Sequence, residues 1–229
     1  MKRLLTLTAL ALLASGLHSI QAQKLFDMSA PDHLIDFGAR IGINTSNQTS
    51  PSGGKISNLD SWGAGFEVGG VANLNIFNAI AVQPGVFIET RSHRYSYVME
   101  PVELLHFTMA EYGHDYSTWL KIPLLASVRL NPDKNIQVAT EAGPVFGFGI
   151  GGRDKTHFYV PGLGSTKESE NYFNDHKNWS FGWKLGGTVR YAGHYMLGVH
   201  YEAGTSSVYR FPLKGGHHKA WIFTLGYDF

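Results

Sequence analysis

From about residue 32 to the last residue, apolar and non-apolar side chains alternate one by one. In "IDFGARIGI" the apolar set is Ile35, Phe37, Ala39, Ile41 and Ile43, with Asp36, Gly38, Arg40 and Gly42 between. The final segment "WIFTLGYDF" does the same with Trp221, Phe223, Leu225, Tyr227 and Phe229. A period of two is the signature of a β-strand with one apolar face. The pattern recurs in "WGAGFEVGGVANLNI" (62–76), "IAVQPGVFIET" (80–90), "YSTWLKIPLLASVRL" (116–130), "IQVATEAGPVFGFGI" (136–150), "WSFGWKLGGTVRY" (179–191) and "YMLGVHYEA" (195–203), which predicts about eight strands.

The connections alternate in length. Short turns are expected at 77–79, 131–134 and 192–194, where Asn, Pro, Gly and Asp supply turn chemistry. Long polar loops are expected near 45–60, 92–115, 152–178 and 205–218. Hairpins whose short turns all lie at one end form an up-and-down barrel, with short periplasmic turns and long external loops.

Which face meets the core depends on what the other face carries. Opposite the apolar side chains stand glycines, small polar residues and isolated charges. Such a face suits the crowded interior of a narrow barrel, and a wall of Leu, Ile, Val and aromatics suits lipid. Closure also pairs every strand edge, as hydrocarbon requires. Trp62, Trp179 and Trp221 at the loop ends, and Tyr191, Tyr195, Tyr227 and Phe229 at the turn ends, would form two interfacial girdles. The expected fold is all-β, an eight-stranded antiparallel up-and-down transmembrane β-barrel over residues 32–229.

Composition adds export. Lys2 and Arg3 precede the apolar run "LLTLTALALLASGL", and small residues follow, so residues 1–22 are expected to be a cleaved secretory signal peptide and 23–31 a periplasmic N-terminal segment. The apolar run is shorter than the ~20 residues a spanning helix needs. Removing Lys2 and Arg3 leaves 17 basic against 18 acidic side chains, a net charge of about −1 with histidine neutral. Nothing in that balance points to nucleic acid. The chain has no cysteine, hence neither disulfides nor a lipoprotein-type anchor.

The strand "WLKIPLLASVRL" and the terminal "WIFTLGYDF" resemble the PorT-type family of small outer-membrane β-barrel proteins. The comparable strand in that family typically reads Tyr-Leu-x-Ile-Pro-Leu-Leu, which Leu120, Ile122, Pro123, Leu124 and Leu125 match, with Trp119 where tyrosine is usual. The resemblance implies insertion by the barrel-assembly machinery through a terminal signal carried by Tyr227 and Phe229. It also suggests a link to protein secretion, which no single residue here carries.

The charges expected to face inward are Arg40, Glu67, Glu89, Lys121, Arg129, Glu141, Lys184, Arg190 and Glu202, with His200 beside them. Buried charges must pair and hydrogen-bond, so these should form a network that fills the interior and fixes register. A gated polar path or proton relay is the functional alternative. His200 and Glu202 share a face, but no serine is placed with them, and no catalytic set is assigned. His93, His106, His114, His157, His176, His217 and His218 fall in or beside the expected loops and are read as solvated rather than as metal or haem ligands. "GFGIGG" (147–152) satisfies G-x-G-x-x-G, but no helix follows it, so its glycines are read as interior-facing rather than dinucleotide-binding. The expectation is a bacterial outer-membrane barrel without enzymatic activity, cofactor or metal. Its partners would be outer-membrane lipid, the assembly machinery and a protein met by the external loops. A narrow pore or transporter for a small solute or hydrophobic ligand is the alternative.

Overall fold

The computed structural model describes residues 25–49, 61–99, 109–131, 135–160, 164–210 and 216–229. The expected signal peptide lies outside them, as do His106 and part of the turn at 131–134. Among the described residues nine strands follow in order: β1 (Ile35–Gln48), β2 (Ser61–Phe77), β3 (Ile80–Met99), β4 (Met109–Leu130), β5 (Ile136–Val160), β6 (Gly164–Asn171), β7 (Trp179–Tyr191), β8 (Tyr195–Gly204) and β9 (His218–Asp228). All pairings are antiparallel.

Eight strands form a ring. Sequential neighbours pair, β5 passes directly to β7, and β9 returns to β1 with Ile41 opposite Leu225 and Ile43 opposite Phe223. The final strand therefore has a partner along its whole length, and its alternation has to serve a closed sheet. Closure leaves no open edge within the ring, the condition for crossing hydrocarbon.

The two faces separate cleanly by side chain. Ile41 is 60% exposed and Leu225 59%, and Leu185, Leu197 and Phe223 also look outward. Arg40, Glu67, Glu89, Lys121 and Ser127 are each at most 3% exposed. In water this would be an inverted protein; in a bilayer the outer wall is the solvated one. The three expected loop-end tryptophans and the four expected turn-end aromatics all face outward. Trp119 does not: it is 3% exposed and points into the barrel, because it shares parity with Lys121.

Two of the expected long loops are largely strand. At ~3.3 Å per residue the 22 residues of β4 reach roughly 70 Å, although ~9–11 tilted residues suffice to cross a membrane. β3 stays paired to β4 as far as Met99 opposite Met109, β4 to β5 as far as Ala110 opposite Tyr159, and β6 adds to the outer part of β5 from Arg153 opposite Asn171 to Val160 opposite Gly164. A four-stranded sheet thus stands beyond the loop end of the barrel. The sequence conceals it because a sheet wet on both faces needs no apolar alternation; β6, "GSTKESEN", is exposed throughout.

Candidate functional site: the filled barrel interior and its mouth

The inward face of each strand delivers charges in layers. Nearest the loop end, β3 and β4 supply Glu89, Arg91 and Lys121, and β8 supplies Glu202 across the lumen. Arg91 donates from Nε to Glu89 Oε2 at 2.9 Å and from Nη2 to Glu202 Oε1 at 3.1 Å. Lys121 Nζ lies 3.1 Å from Glu89 Oε2 and also hydrogen-bonds Glu202. Two cations meet two anions, so the layer is neutral and each buried charge is paired. The Arg91 guanidinium also lies 4.8 Å from the centre of the Trp119 ring, which gives the inward tryptophan a structural role.

Below this, Lys184 Nζ is 3.6 Å from Glu67 Oε1, and His200 Nε2 is 2.9 Å from Glu141 Oε2, whose other oxygen accepts from Thr188 Oγ1 at 3.3 Å. At the turn end, Arg40 Nη2 donates to Asp228 Oδ1 at 2.5 Å and Arg190 Nε to Asp228 Oδ2 at 2.6 Å. Arg129 donates to two amides, Asn75 Oδ1 at 2.7 Å and Asn73 Oδ1 at 3.2 Å.

All ten residues expected inside are there, nine of them buried and Arg190 half-buried with an 11% exposed side chain. Among the described residues three buried charges lie outside that expected set: Arg91, Asp115 and Asp228. Parity could have found two of them in the layers, since Arg91 has the parity of Glu89, and Asp228 that of Ile222 and Thr224. Arg91 borders the loop expected at 92–115, and Asp228 stands in a segment dominated by aromatics. His200 and Glu202, although on one face, serve different partners, Glu141 for the first and the Lys121–Arg91 pair for the second.

The mouth is closed by the chain itself. After β6 a single 3-10 turn, Tyr172–Asn174, folds into the loop end of the barrel. Asn171 caps it by accepting from the Phe173 amide at 2.9 Å. Tyr172 is 4% exposed; its hydroxyl donates to Gln48 Oε1 at 3.1 Å, and its ring stacks on His176 at 4.0 Å. Phe173 meets Trp119 edge to face at 5.5 Å. The turn is pinned by Lys177 N to Val208 O at 2.8 Å and Arg210 N to Asp175 O at 2.9 Å.

The glycines of "GFGIGG" make room for this plug. A Cβ on Gly149 would lie 2.1 Å from Phe173 Cζ, and one on Gly152 would lie 2.8 Å from Tyr172 Cβ. Gly147, Gly149 and Gly152 face inward as the sequence suggests, whereas a Cβ on Gly151 would meet nothing within 4 Å; Gly149 and Gly152 accept two aromatic rings from another segment.

The histidine expectation needs correction. His93, His176 and His218 are 6%, 5% and 8% exposed and line the closed mouth rather than solvent, because the plug and the extended β3 cover them. His93 Nδ1 lies 3.8 Å from Asp115 Oδ2. Burial pushes the Asp115 carboxyl up to about 6 and holds the His176 imidazole below its usual range; it also raises the Tyr172 phenol. Among the described residues no three His, Cys, Asp or Glu side chains converge as metal ligands would. A space of about 30 Å³, room for a water or two, remains beneath Tyr172.

A closed ring with a lipid-compatible wall, a paired polar interior and short turns at one end defines a small outer-membrane β-barrel. The family model for the outer membrane protein beta-barrel domain matches residues 21–210, and the chain belongs to that family. No curated protein matches it significantly. Among solved structures it is similar to Ail, the attachment invasion locus protein of Yersinia pestis, solved in complex with the heparin analogue sucrose octasulfate (16% identity, TM-score 0.40, 86% of this chain and 100% of that one). It is also similar to Neisserial surface protein A (13%, TM-score 0.37, 84% and 97%) and to OprG of Pseudomonas aeruginosa (10%, TM-score 0.36, 89% and 98%). At these identities and TM-scores nothing about binding or activity transfers from any of them.

Proposed function

We propose that this chain is a non-conducting outer-membrane barrel, without enzymatic activity, that serves as an anchor for the four-stranded sheet of β3, β4, β5 and β6 outside the membrane. The observation that carries this is the neutral Glu89–Arg91–Lys121–Glu202 layer, capped by Tyr172 and Phe173. An ion would have to enter a layer in which each charge already has a partner, after displacing a plug held by hydrogen bonds on both sides. The external sheet ends on β6, whose outer edge is unpaired among the described residues and carries Lys167, Glu168 and Glu170. Such an edge offers backbone groups to a protein partner, while its charges limit indiscriminate pairing.

The motif Leu120, Ile122, Pro123, Leu124 and Leu125 supports a PorT-type affiliation within the family. Tyr227 and Phe229, outward-facing at the turn end, suit recognition by the assembly machinery. Planar-bilayer recording of the purified protein tests the main claim: no stable single-channel steps are expected. Regular steps abolished by Lys121→Met would favour a narrow pore through the charged layers.

A further inference from the structure

The turn end of the barrel is hollow where the loop end is plugged. Residues 25–34 cross beneath it as a strap, with Asn131 N bonded to Leu25 O at 2.9 Å, Ala79 N to Asp27 O at 2.8 Å and Asn75 N to Leu34 O at 2.9 Å. Between strap and interior lies an open vestibule of about 580 Å³, within the range of small-molecule sites. Arg129 and Arg190 both line it.

Among the described residues Arg129 differs from the other interior cations in having no carboxylate partner. It is 6% exposed, two neutral asparagines accept from its Nη atoms, and its Nε has no hydrogen-bond partner. Arg190 lies near enough to repel its charge, and Glu141, Asp228 and Asp36 attract it without a direct contact. Of the acids in the vestibule, Asp228 is already shared by Arg40 and Arg190, Asp36 accepts from Asn75 Nδ2 at 2.7 Å, and Asp27 is held by Ser29 and Asn78. Arg129 is thus a buried guanidinium with neutral partners, and beside it Arg40 and Arg190 share the one carboxylate of Asp228, so the cluster binds fewer carboxylates than it holds cations.

We infer that this vestibule binds the carboxylate of a small periplasmic solute between Arg129 and Arg190. A guanidinium fork matches the two oxygens of a carboxylate, and the vestibule opens toward the compartment the short turns face. Asp27, Asp32 and Asp36 around the opening disfavour polyanions and leave a single carboxylate as the best fit. The site is independent of what the external sheet contacts and of whether the plugged barrel conducts.

The test uses the full mature chain folded in a neutral maltoside detergent, with folding verified by heat-modifiable mobility, in buffer free of carboxylate and phosphate. Arginine side-chain N–H resonances are followed while acetate is added, against acetamide and against sodium chloride at equal ionic strength. Saturable shifts with acetate alone are expected, weakened at least tenfold in Arg190→Gln and in Arg129→Gln. Should Arg129→Gln fail to give the heat-modifiable form, Arg190→Gln decides, since Asp228 keeps Arg40 as partner there. Shifts that do not saturate, that chloride reproduces, or that persist unchanged in Arg190→Gln overturn the site.

Discussion

Replacing Lys121 by methionine removes one cation from the neutral layer with little change in volume. Lys121 is 2% exposed and lies against Glu89 and Glu202, at most 3% exposed themselves, so the variant leaves two buried carboxylates facing Arg91 alone. At an effective dielectric near 20, the 3.1 Å contact with Glu89 corresponds to about 5 kcal/mol of attraction. Part of this is offset because methionine, unlike an ammonium, costs nothing to strip of water. Breaking one partner out of a buried ion pair characteristically costs ~3–5 kcal/mol, and that is the expected loss. The assay is urea unfolding in lipid vesicles, scored by the fraction of heat-modifiable compact band. With a slope of ~3 kcal/mol per molar urea, the midpoint should fall by about 1–1.7 M. The double variant Lys121→Met with Glu89→Gln should recover at least half of that, since the remaining Arg91–Glu202 pair is then balanced. A midpoint within about 0.3 M of the parent would mean the layer is hydrated well enough to screen its charges. That result would refute the dry, paired interior on which the non-conducting barrel rests.

Four further perturbations address other parts of the molecule. Gly149→Val should expel Phe173 from the mouth, since even a Cβ there would lie 2.1 Å from the ring; faster amide exchange across 172–178 with the barrel itself intact is the expected readout. Asp115→Asn should stabilise the closed mouth at pH 7 by up to ~3 kcal/mol and at pH 4 by only about 0.5 kcal/mol. The folded carboxyl is raised to about 6, so its ionisation destabilises the closed state as pH rises from about 4 through 6; amide exchange of the variant compared with the parent at the two pH values checks it. His176, held below its usual range by burial, acts in the opposite direction and should weaken closure as pH falls below about 6.5, an effect absent in His176→Gln by the same measurement. Ile41→Arg, in the outward wall opposite Val68 and Leu225, should cost ~2–4 kcal/mol of stability in vesicles; a neutral outcome would mean that wall does not meet lipid.

The ring was legible because membrane strands obey two constraints at once: a period of two, and a face that excludes charge. Those constraints put Arg40, Glu67, Lys121 and Glu202 inside from the sequence alone, since parity assigns a face. Parity says nothing about partners. That Lys121 spans Glu89 and Glu202, or that Asp228 joins Arg40 to Arg190, depends on which strands meet across the lumen, a long-range property of closure. The external sheet was hidden for a related reason: outside the membrane both faces are wet, and "GSTKESEN" pairs as β6 through its backbone while its side chains read as loop.

The plug shows where sequence patterning stops altogether. The mouth is sealed by Tyr172 and Phe173 from a segment that reads as an ordinary aromatic-bearing loop, and by three histidines assigned to solvent. The two halves of the fit lie about 20 residues apart: the glycines at 149 and 152 clear a space, and the rings at 172 and 173 occupy it. Neither half has meaning alone, because inward glycines are equally what a narrow barrel uses to relieve crowding. Together they have a consequence for function. A barrel selected only to anchor an external sheet could leave its mouth open and its centre blocked by salt bridges. This one covers the same path twice, with fixed charge and with an aromatic turn, and the second barrier can move without unpairing buried ions. Among the described residues the external segments meet the interior through Tyr172, whose hydroxyl donates to Gln48 on β1 and whose ring rests on His176.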